Sequence, residues 1–142
     1  QAAQDIILDQ SGNAFASHVT MQAGNGDNAA FNDITFVDNT NVNLHSSAAS
    51  AGDLFIDAST NLAVGGALII TATTGDITQG GILRVTGAAK FITTQATQDI
   101  ILGEANEFAS HVTMQAGDGT AAFNDITFVD TQQHIEDRIG IL

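Results

Sequence analysis

The beginning and the end of this chain carry nearly the same sequence, and this duplication limits the folds that are open to it. Residues 1–38 return as residues 95–130, and two ten-residue stretches, FASHVTMQAG and AAFNDITFVD, are identical in both copies. The offset between matching residues drifts only from 94 to 92. Self-similarity at a nearly constant spacing is the signature of a repeat array. The chain therefore divides into one full period, the start of the next period, and a divergent tail or cap: residues 1–94, 95–130 and 131–142.

Short apolar clusters that alternate with polar residues fill both copies and the region between them. Alternation at every second residue indicates β-strands, and the Gly, Asn, Asp and Ser clusters between them are typical of tight corners. The pattern predicts strands near Asp5–Leu8, His18–Gln22, Asp33–Asp38, Val42–His45, Asp53–Asp57, Ala67–Thr73, Leu83–Gly87, Lys90–Thr93, Asp99–Leu102, His111–Gln115 and Asp125–Asp130.

A finer spacing of 14 to 20 residues separates the strands at Val19, Ile34, Leu54, Leu68, Leu83 and Ile100, and this is a suitable length for one turn of a β-solenoid. In such a fold each coil contributes strands that pair in parallel with the coils above and below. Coils of about 19 residues would give about seven coils in the whole chain and about five in one period. The sequence therefore predicts an all-β fold, a parallel β-helix.

Alternation also assigns the side chains that face the interior of this fold. No single coil buries its own apolar face, so stability has to come from neighbouring coils. Burying one large apolar side chain is worth about 1.5–3 kcal/mol relative to exposing it. We expect a core ladder of these residues: Ile6, Leu8, Val19, Met21, Ile34, Phe36, Leu54, Ile56, Leu68, Ile70, Leu83, Val85, Phe91, Ile100, Leu102, Val112, Met114, Ile126 and Phe128.

The alternative architecture is a tandem array of antiparallel immunoglobulin-like β-sandwiches. A period of about 94 residues also fits one such module. Two observations disfavour it. The chain has no Trp and no Tyr, which such cores often use, and its strand spacing exceeds the 8–12 residues typical of sandwiches.

One stretch of the chain resembles a known group of repeats. The sequence GDITQGGILRVTGAAKFIT, residues 75–93, is followed by QDIIL and by Asn106-Glu107-Phe108, and an earlier copy of the second line ends in Asn13-Ala14-Phe15. This order resembles the repeats of giant bacterial surface and secreted proteins of the filamentous-haemagglutinin-like class. The resemblance covers residues 1–130. It implies a right-handed parallel β-helix that serves as an extracellular stalk, adhesin shaft or fibre at the cell surface.

The charge balance excludes some classes of partner. The chain has 16 acidic residues and three basic ones, Arg84, Lys90 and Arg138, and a net charge of −13. Nucleic acid binding needs a basic surface, so we expect no nucleic acid partner. No segment approaches the length of a membrane span. The absence of Cys excludes a disulfide scaffold and is compatible with an exported protein.

Candidate sites for chemistry are few. Enzymes with a parallel β-helix gather carboxylates, and often Arg or Lys, in one groove. This chain has only three scattered basic residues, so we expect no enzymatic activity and no cofactor. The acidic Gly-rich corners at residues 24–28 and 117–119 are calcium candidates through Asp27, Asn28 and Asp118, because Ca²⁺ prefers clustered oxygen ligands. The simpler interpretation of these corners is a turn in which Gly and Asn supply a positive φ.

The functional expectation is a structural segment of an exported bacterial fibre, stalk or adhesin shaft. Uncapped strand edges are templates for pairing with another chain, so we expect copies of the protein to associate end to end. The alternative is a surface adhesin module that binds a ligand on host or neighbouring cells.

In the tail, Ile135, Ile139 and Leu142 are spaced as in an amphipathic helix, and a divergent strand fits equally well.

Overall fold

The structure of the protein, a computed structural model, describes residues 5–16, 19–21, 33–44, 53–56, 64–119, 124–132 and 139–141. These residues form strands and no helix. In chain order the strands are β1 (Ile6–Leu8), β2 (Val19–Met21), β3 (Ile34–Asp38), β4 (Val42–Leu44), β5 (Asp53–Ile56), β6 (Leu68–Ala72), β7 (Ile77–Gln79), β8 (Arg84–Val85), β9 (Ala89–Thr93), β10 (Ile100–Phe108), β11 (Val112–Gln115), β12 (Ile126–Asp130) and β13 (Ile139–Ile141).

The strands lie close to the positions predicted by alternation, with three differences. The tail, for which a helix and a divergent strand were both open, contains the strand β13. β7 is an additional strand of three residues, and it shows no alternation because Ile77 is its single apolar residue. β10 continues to Phe108 through a corner predicted after Leu102, and its register shifts between Leu102 and Asn106. β10 pairs with β12 on both sides of this shift, with β7 at Ile100, and with β8 through Glu107 and Phe108.

The strands form two sheets. The first sheet has the order β1-β3-β6-β9-β11-β13, which is also the order along the chain. The second sheet has the order β12-β10-β7-β4-β5-β2, which follows the chain in reverse except that β4 and β5 exchange places. Between neighbouring strands of the first sheet the chain passes through the second, as β2 does between β1 and β3, and β10 between β9 and β11.

Every pairing between the described strands is parallel. Parallel strands cannot be joined by a two-residue hairpin and need a longer crossover connection. Here the connection is the segment of chain that contributes a strand to the other sheet. The immunoglobulin-like alternative consists of antiparallel sheets, and these pairings do not match it. The prediction of an all-β fold with parallel sheets is confirmed. The number of coils stays a prediction.

Alternate residues of the strands form one hydrophobic core. In β6 and β9, every second side chain is buried and the residues between them are partly or fully exposed. Of the residues expected in the core ladder, twelve are buried: Met21, Ile34, Phe36, Leu68, Ile70, Leu83, Val85, Phe91, Ile100, Leu102, Val112 and Met114. Five others pack partly buried against the core: Ile6, Leu8, Val19, Ile126 and Phe128. The side chains of Leu54 and Ile56 lie outside the described part.

Aromatic side chains connect successive strands within this core. The ring centroids of Phe91 and Phe108 are 6.0 Å apart with an edge-to-face geometry, and those of Phe108 and Phe128 are 5.5 Å apart. Near the other end, Phe15 stacks on Phe36 at 5.2 Å. Such pairs add roughly 0.5–1.5 kcal/mol each beyond the apolar area they bury.

Candidate functional site

Asp and Asn side chains directly before several strands bond the start of the neighbouring strand. In the first sheet, Asp5 Oδ1 accepts the N–H of Asp33 at 3.0 Å, and Asp33 Oδ1 accepts the N–H of Ala67 at 2.7 Å. Each bond joins the residues that precede two paired strands, so it aligns the strand starts. Ala67 has no side-chain acceptor, and the series ends there.

The second sheet carries a longer series of the same kind. Asn41 Oδ1 accepts the N–H of Asp76 at 3.0 Å, Asp76 Oδ1 accepts that of Asp99 at 2.9 Å, and Asp99 Oδ1 accepts that of Asp125 at 2.8 Å. We call both series together the Asx ladder. At its last member, the Asp125 carboxylate accepts no hydrogen bond from the residues that the structure describes.

Sequence reasoning missed the Asx ladder, although a signal for it exists. Each member stands directly before the first residue of a strand and is followed by Ile or Val, in the dipeptides Asp-Ile and Asn-Val. Acidic side chains on a β surface are usually read as a solvated face. The ladder shows that these acids also bond backbone N–H groups, and such bonds to a charged acceptor are stronger than neutral ones.

In both copies of the repeat, the Asn of the N-x-F element donates a side-chain hydrogen bond to the carbonyl of the matching leucine, although the first copy turns at residues 11–12 and the second continues as β10. Asn13 Nδ2 donates to Leu8 O at 3.3 Å, and Asn106 Nδ2 donates to Leu102 O at 3.3 Å. Asn106 is fully buried, and its Oδ1 also accepts the N–H of Leu83 at 2.9 Å. A buried amide with its donors and acceptor bonded stabilises one corner geometry against alternatives.

A carboxylate completes each corner. Asp38 Oδ1 accepts the N–H of Phe15 at 3.3 Å, and Asp130 Oδ1 accepts the N–H of Phe108 at 3.3 Å. Asp38 is fully buried, and its second oxygen accepts the hydroxyl of Thr40 at 3.1 Å. The sequence elements N-x-F and ITFVD therefore act together, the first supplying the donor and the second the acceptor.

Both sheets end in strands that have a neighbour on one side only, as far as the structure describes them. β1 and β2 stand at one end of the two strand orders, and β13 and β12 stand at the other. An edge strand presents unpaired N–H and C=O groups, which are a template for another strand. Proteins commonly protect such edges with Lys or Pro, and β1 and β12 contain neither.

Exposed large apolar side chains lie on these edges and beside them. Ile7 in β1 is 62% exposed and Val129 in β12 is 40% exposed, and Ile101 in the adjacent β10 is 42% exposed. Ile101 is paired in register with Thr127. The arrangement can form backbone hydrogen bonds and apolar contacts with another strand.

The calcium candidates are only partly described. Asp27 and Asn28 lie outside the described residues, and Asp118 is exposed. Gly117 and Gly119 have φ angles of 82° and 77°, as the turn interpretation requires. The described residues contain no group of three or more His, Cys, Asp or Glu that could hold a metal ion. The calcium site stays a prediction.

Two of the three basic residues are described, and they differ in their surroundings. Arg84 forms a two-pronged ion pair with Glu107, with Nε to Oε2 at 3.1 Å and Nη2 to Oε1 at 3.2 Å. Lys90 is exposed on the outer face of β9, and Arg138 lies outside the described residues.

Nothing in the described part of the chain forms a helix long and apolar enough to cross a membrane.

The fold and its edges define the class of this molecule, an all-β repeat protein built from parallel sheets. Within that class, the chain belongs to the family of repeats of unknown function (DUF5649), which matches residues 31–115, more than half of the chain. The matched residues contain the strands from β3 to β11. No curated protein and no solved structure matches the chain. The resemblance to filamentous-haemagglutinin-like repeats stays a prediction.

Proposed function

We propose that this chain is a structural segment of an exported bacterial β-solenoid, a right-handed parallel β-helix that forms a fibre, stalk or adhesin shaft. The observation that carries the proposal is the strand order of the first sheet, which repeats the order along the chain with every pairing parallel. A chain that winds steadily along one axis produces this order. The right hand follows from the general preference of parallel crossover connections.

The proposed role is mechanical. Parallel ladders with a continuous apolar core resist bending, and the number of repeats sets the length. The Asx ladder supports this role because it aligns successive strands without relying on the core. The net charge of −13 keeps the flanks of separate fibres soluble and apart.

Location outside the cell is part of the same proposal. It is supported by the resemblance of residues 1–130 to repeats of giant surface proteins and by a sequence free of Cys. We propose no catalytic role, since the described residues present an Asx ladder engaged with backbone N–H groups and an Arg84 occupied by Glu107.

Electron microscopy of tandem arrays tests the shaft. From β1 in the first sheet to β10 in the second, the chain advances past β3, β6 and β9 and then by half a further step. One period therefore lengthens the stack by three and a half strand spacings, roughly 17 Å at about 4.8 Å per strand. Arrays of five and ten periods should be rods of constant width whose lengths differ by about 85 Å. Separate beads on a string, or a length that does not scale with the number of periods, would contradict the proposal.

The alternative function is a ligand-binding adhesin module. Displaying the same arrays on a bacterial surface distinguishes this module from a shaft. A shaft changes only the distance of a terminal tag from the cell. Attachment of the displaying cells to host or neighbouring cells, saturable by the free protein, would favour the binding module instead.

A further inference from the structure

We propose that copies of this chain stack end to end, with β12 of one copy pairing in parallel with β1 of the next and the Asp125 carboxylate accepting the backbone N–H of Asp5 across the junction. The occupant of each free edge is therefore a second copy of this chain. This inference rests on the proposed fibre function and specifies the contact through which the fibre grows.

The backbone groups at the free edge of β1 follow from its pairing with β3. Consecutive residues of a parallel strand turn their backbone groups alternately to its two sides. The N–H of Ile6 donates to Asp33 O at 2.9 Å, toward β3. The N–H and C=O of Ile7 therefore face the free side of β1.

The free edge of β12 is complementary to that of β1. The N–H of Ile100 donates to Asp125 O at 3.0 Å, so Asp125 and Thr127 turn their backbone groups to β10. Ile126 and Phe128 then face the free side. With Ile126 opposite Ile6 of the next copy, the N–H of Ile126 meets Asp5 O, and the N–H of Phe128 meets Ile7 O.

The same register extends the Asx ladder across the junction. Within the chain, each ladder carboxylate or amide accepts the N–H of the residue before the next strand, and Asp125 is the last member. In the stack, Asp5 of the next copy occupies the position that Asp125 occupies above Asp99. Its N–H then donates to Asp125 Oδ1, and its own Oδ1 continues to Asp33.

The two ends of the hydrophobic core also fit. Ile126 and Phe128 at one end, and Ile6 and Leu8 at the other, are only partly buried although they point to the core. The register Ile126 to Ile6 and Phe128 to Leu8 places these residues side by side. Stacking would give them the second neighbour that Ile34 and Phe36 already have in β6.

The remaining pair of edges supports the same arrangement. From β9 onward the strands alternate between the sheets, ending with β12 in the second sheet and β13 in the first. Continuing this alternation places β1 of the next copy over β12, and its β2 over β13. The sheets exchange roles at the junction, as they do between the two copies of the repeat within the chain.

Disulfide trapping tests the register directly, because the chain contains no Cys. The proposed register sets Thr127 opposite Ile7 of the next copy, at about 4.8 Å between Cα atoms, within the range that a disulfide spans. Mixing the single variants Thr127→Cys and Ile7→Cys under mild oxidation should give mostly the mixed disulfide dimer. Val129→Cys mixed with Ile7→Cys is the register control, since about 8 Å separates those Cα atoms.

The double variant Ile101→Cys/Thr127→Cys is the positive control, because these residues are paired within one chain. A predominance of Thr127→Cys homodimers, or equal yields from the two mixtures, would overturn the proposed register. If filaments nevertheless form, the fibre function survives this result. If neither cross-linked pairs nor filaments form at any concentration, both proposals fail.

Substitutions of Asp125 provide a second test, in which sedimentation measures how strongly the chains associate in solution. Asp125→Ala removes the acceptor for Asp5 and should weaken association about tenfold, whereas Asp125→Asn keeps the acceptor and should associate at least as well as the parent. Raising the salt concentration should strengthen association of the parent, because it screens repulsion between chains of charge −13. Equal association of Asp125→Ala and Asp125→Asn would contradict the role of the carboxylate.

Discussion

The two copies of the repeated sequence form the same strand pair in opposite environments. Ile6 is paired with Ile34 in the pair β1–β3, and Ile100 is paired with Ile126 in the pair β10–β12, so both copies have the same register. The first pair belongs to the first sheet and the second pair to the second sheet. In the first pair β1 is the edge, whereas in the second pair β12 is the edge.

This exchange of edge and interior changes which identical residues are buried. Ile34 and Phe36 are almost completely buried, whereas their counterparts Ile126 and Phe128 are only partly buried. The order is reversed in the partner strands, where Ile100 is buried and Ile6 is partly exposed. Local sequence therefore determines how two strands pair, and the neighbours on either side determine how deeply they are buried.

The exchange of sheets also has a physical reason. A period containing a whole number of passages through both sheets would return the second copy to the sheet of the first. The second copy instead begins three and a half passages after the first, so it starts in the other sheet. Both sheets accept the same sequence because each presents every second residue to one shared core.

The largest expected difference between the copies is in the core. Phe36→Ala should lower the free energy of unfolding by about 3–5 kcal/mol, because a buried ring leaves a cavity. Phe128→Ala should cost less than about 2 kcal/mol, since its ring is already partly in water. Urea unfolding, at a protein concentration low enough to keep the copies dissociated, measures both values. Equal losses would mean that β12 is covered as completely as β3.

A proline at matched positions tests the backbone. The pairing of Ile100 with Ile77 directs the N–H of Ile101 toward β7, and Ile101→Pro should cost at least about 1–3 kcal/mol for the lost bond. Ile7→Pro removes an N–H that faces the free edge, where proline is tolerated, and should cost under about 0.5 kcal/mol. Thermal unfolding of the two variants, with Ile101→Ala and Ile7→Ala as side-chain controls, measures the difference.

The Asx ladder gives a third pair of matched positions. Asp33→Ala removes the acceptor of the Ala67 N–H and should cost about 1 kcal/mol. Asp125→Ala, at the same repeat position, should leave the dissociated chain unchanged within about 0.5 kcal/mol. Asp33→Asn keeps an acceptor and serves as the control. A loss for Asp125→Ala as large as that for Asp33→Ala would show that its carboxylate has a partner within the chain.

The smallest expected effect concerns the one corner residue that differs between the N-x-F elements. Glu107 pairs with Arg84, whereas the corresponding residue of the first copy is Ala14. Glu107→Ala should cost less than about 1 kcal/mol, because partly exposed ion pairs contribute little, and the cost should shrink further in high salt. Chemical unfolding at low and high salt checks both; a larger, salt-independent loss would point to packing of the Glu107 side chain.

Much of the fold was predictable from alternation alone. Leu83 and Val85 are buried with Arg84 between them partly exposed, and Phe91 is buried beside an exposed Lys90. Alternation failed where the signal was short or interrupted, at β7 and in the continuation of β10 past Gly103. The helix spacing in the tail was equally uninformative, because β13 is a strand held by its pairing with β11.

Most strand positions and the inward and outward faces were predictable because they depend on neighbouring residues along the chain, and the repeat was visible because the chain matches itself at an offset of 92 to 94 residues. Which copy lies in which sheet, which strands are edges and which acids join the Asx ladder became visible only in the folded structure. Those properties depend on strands that are 22 to 35 residues apart in the sequence and adjacent in space, as in the bonds from Phe108 to Asp130 and from Asp76 to Asn41. Identical segments therefore differ in burial, because burial is a property of the neighbours and not of the segment.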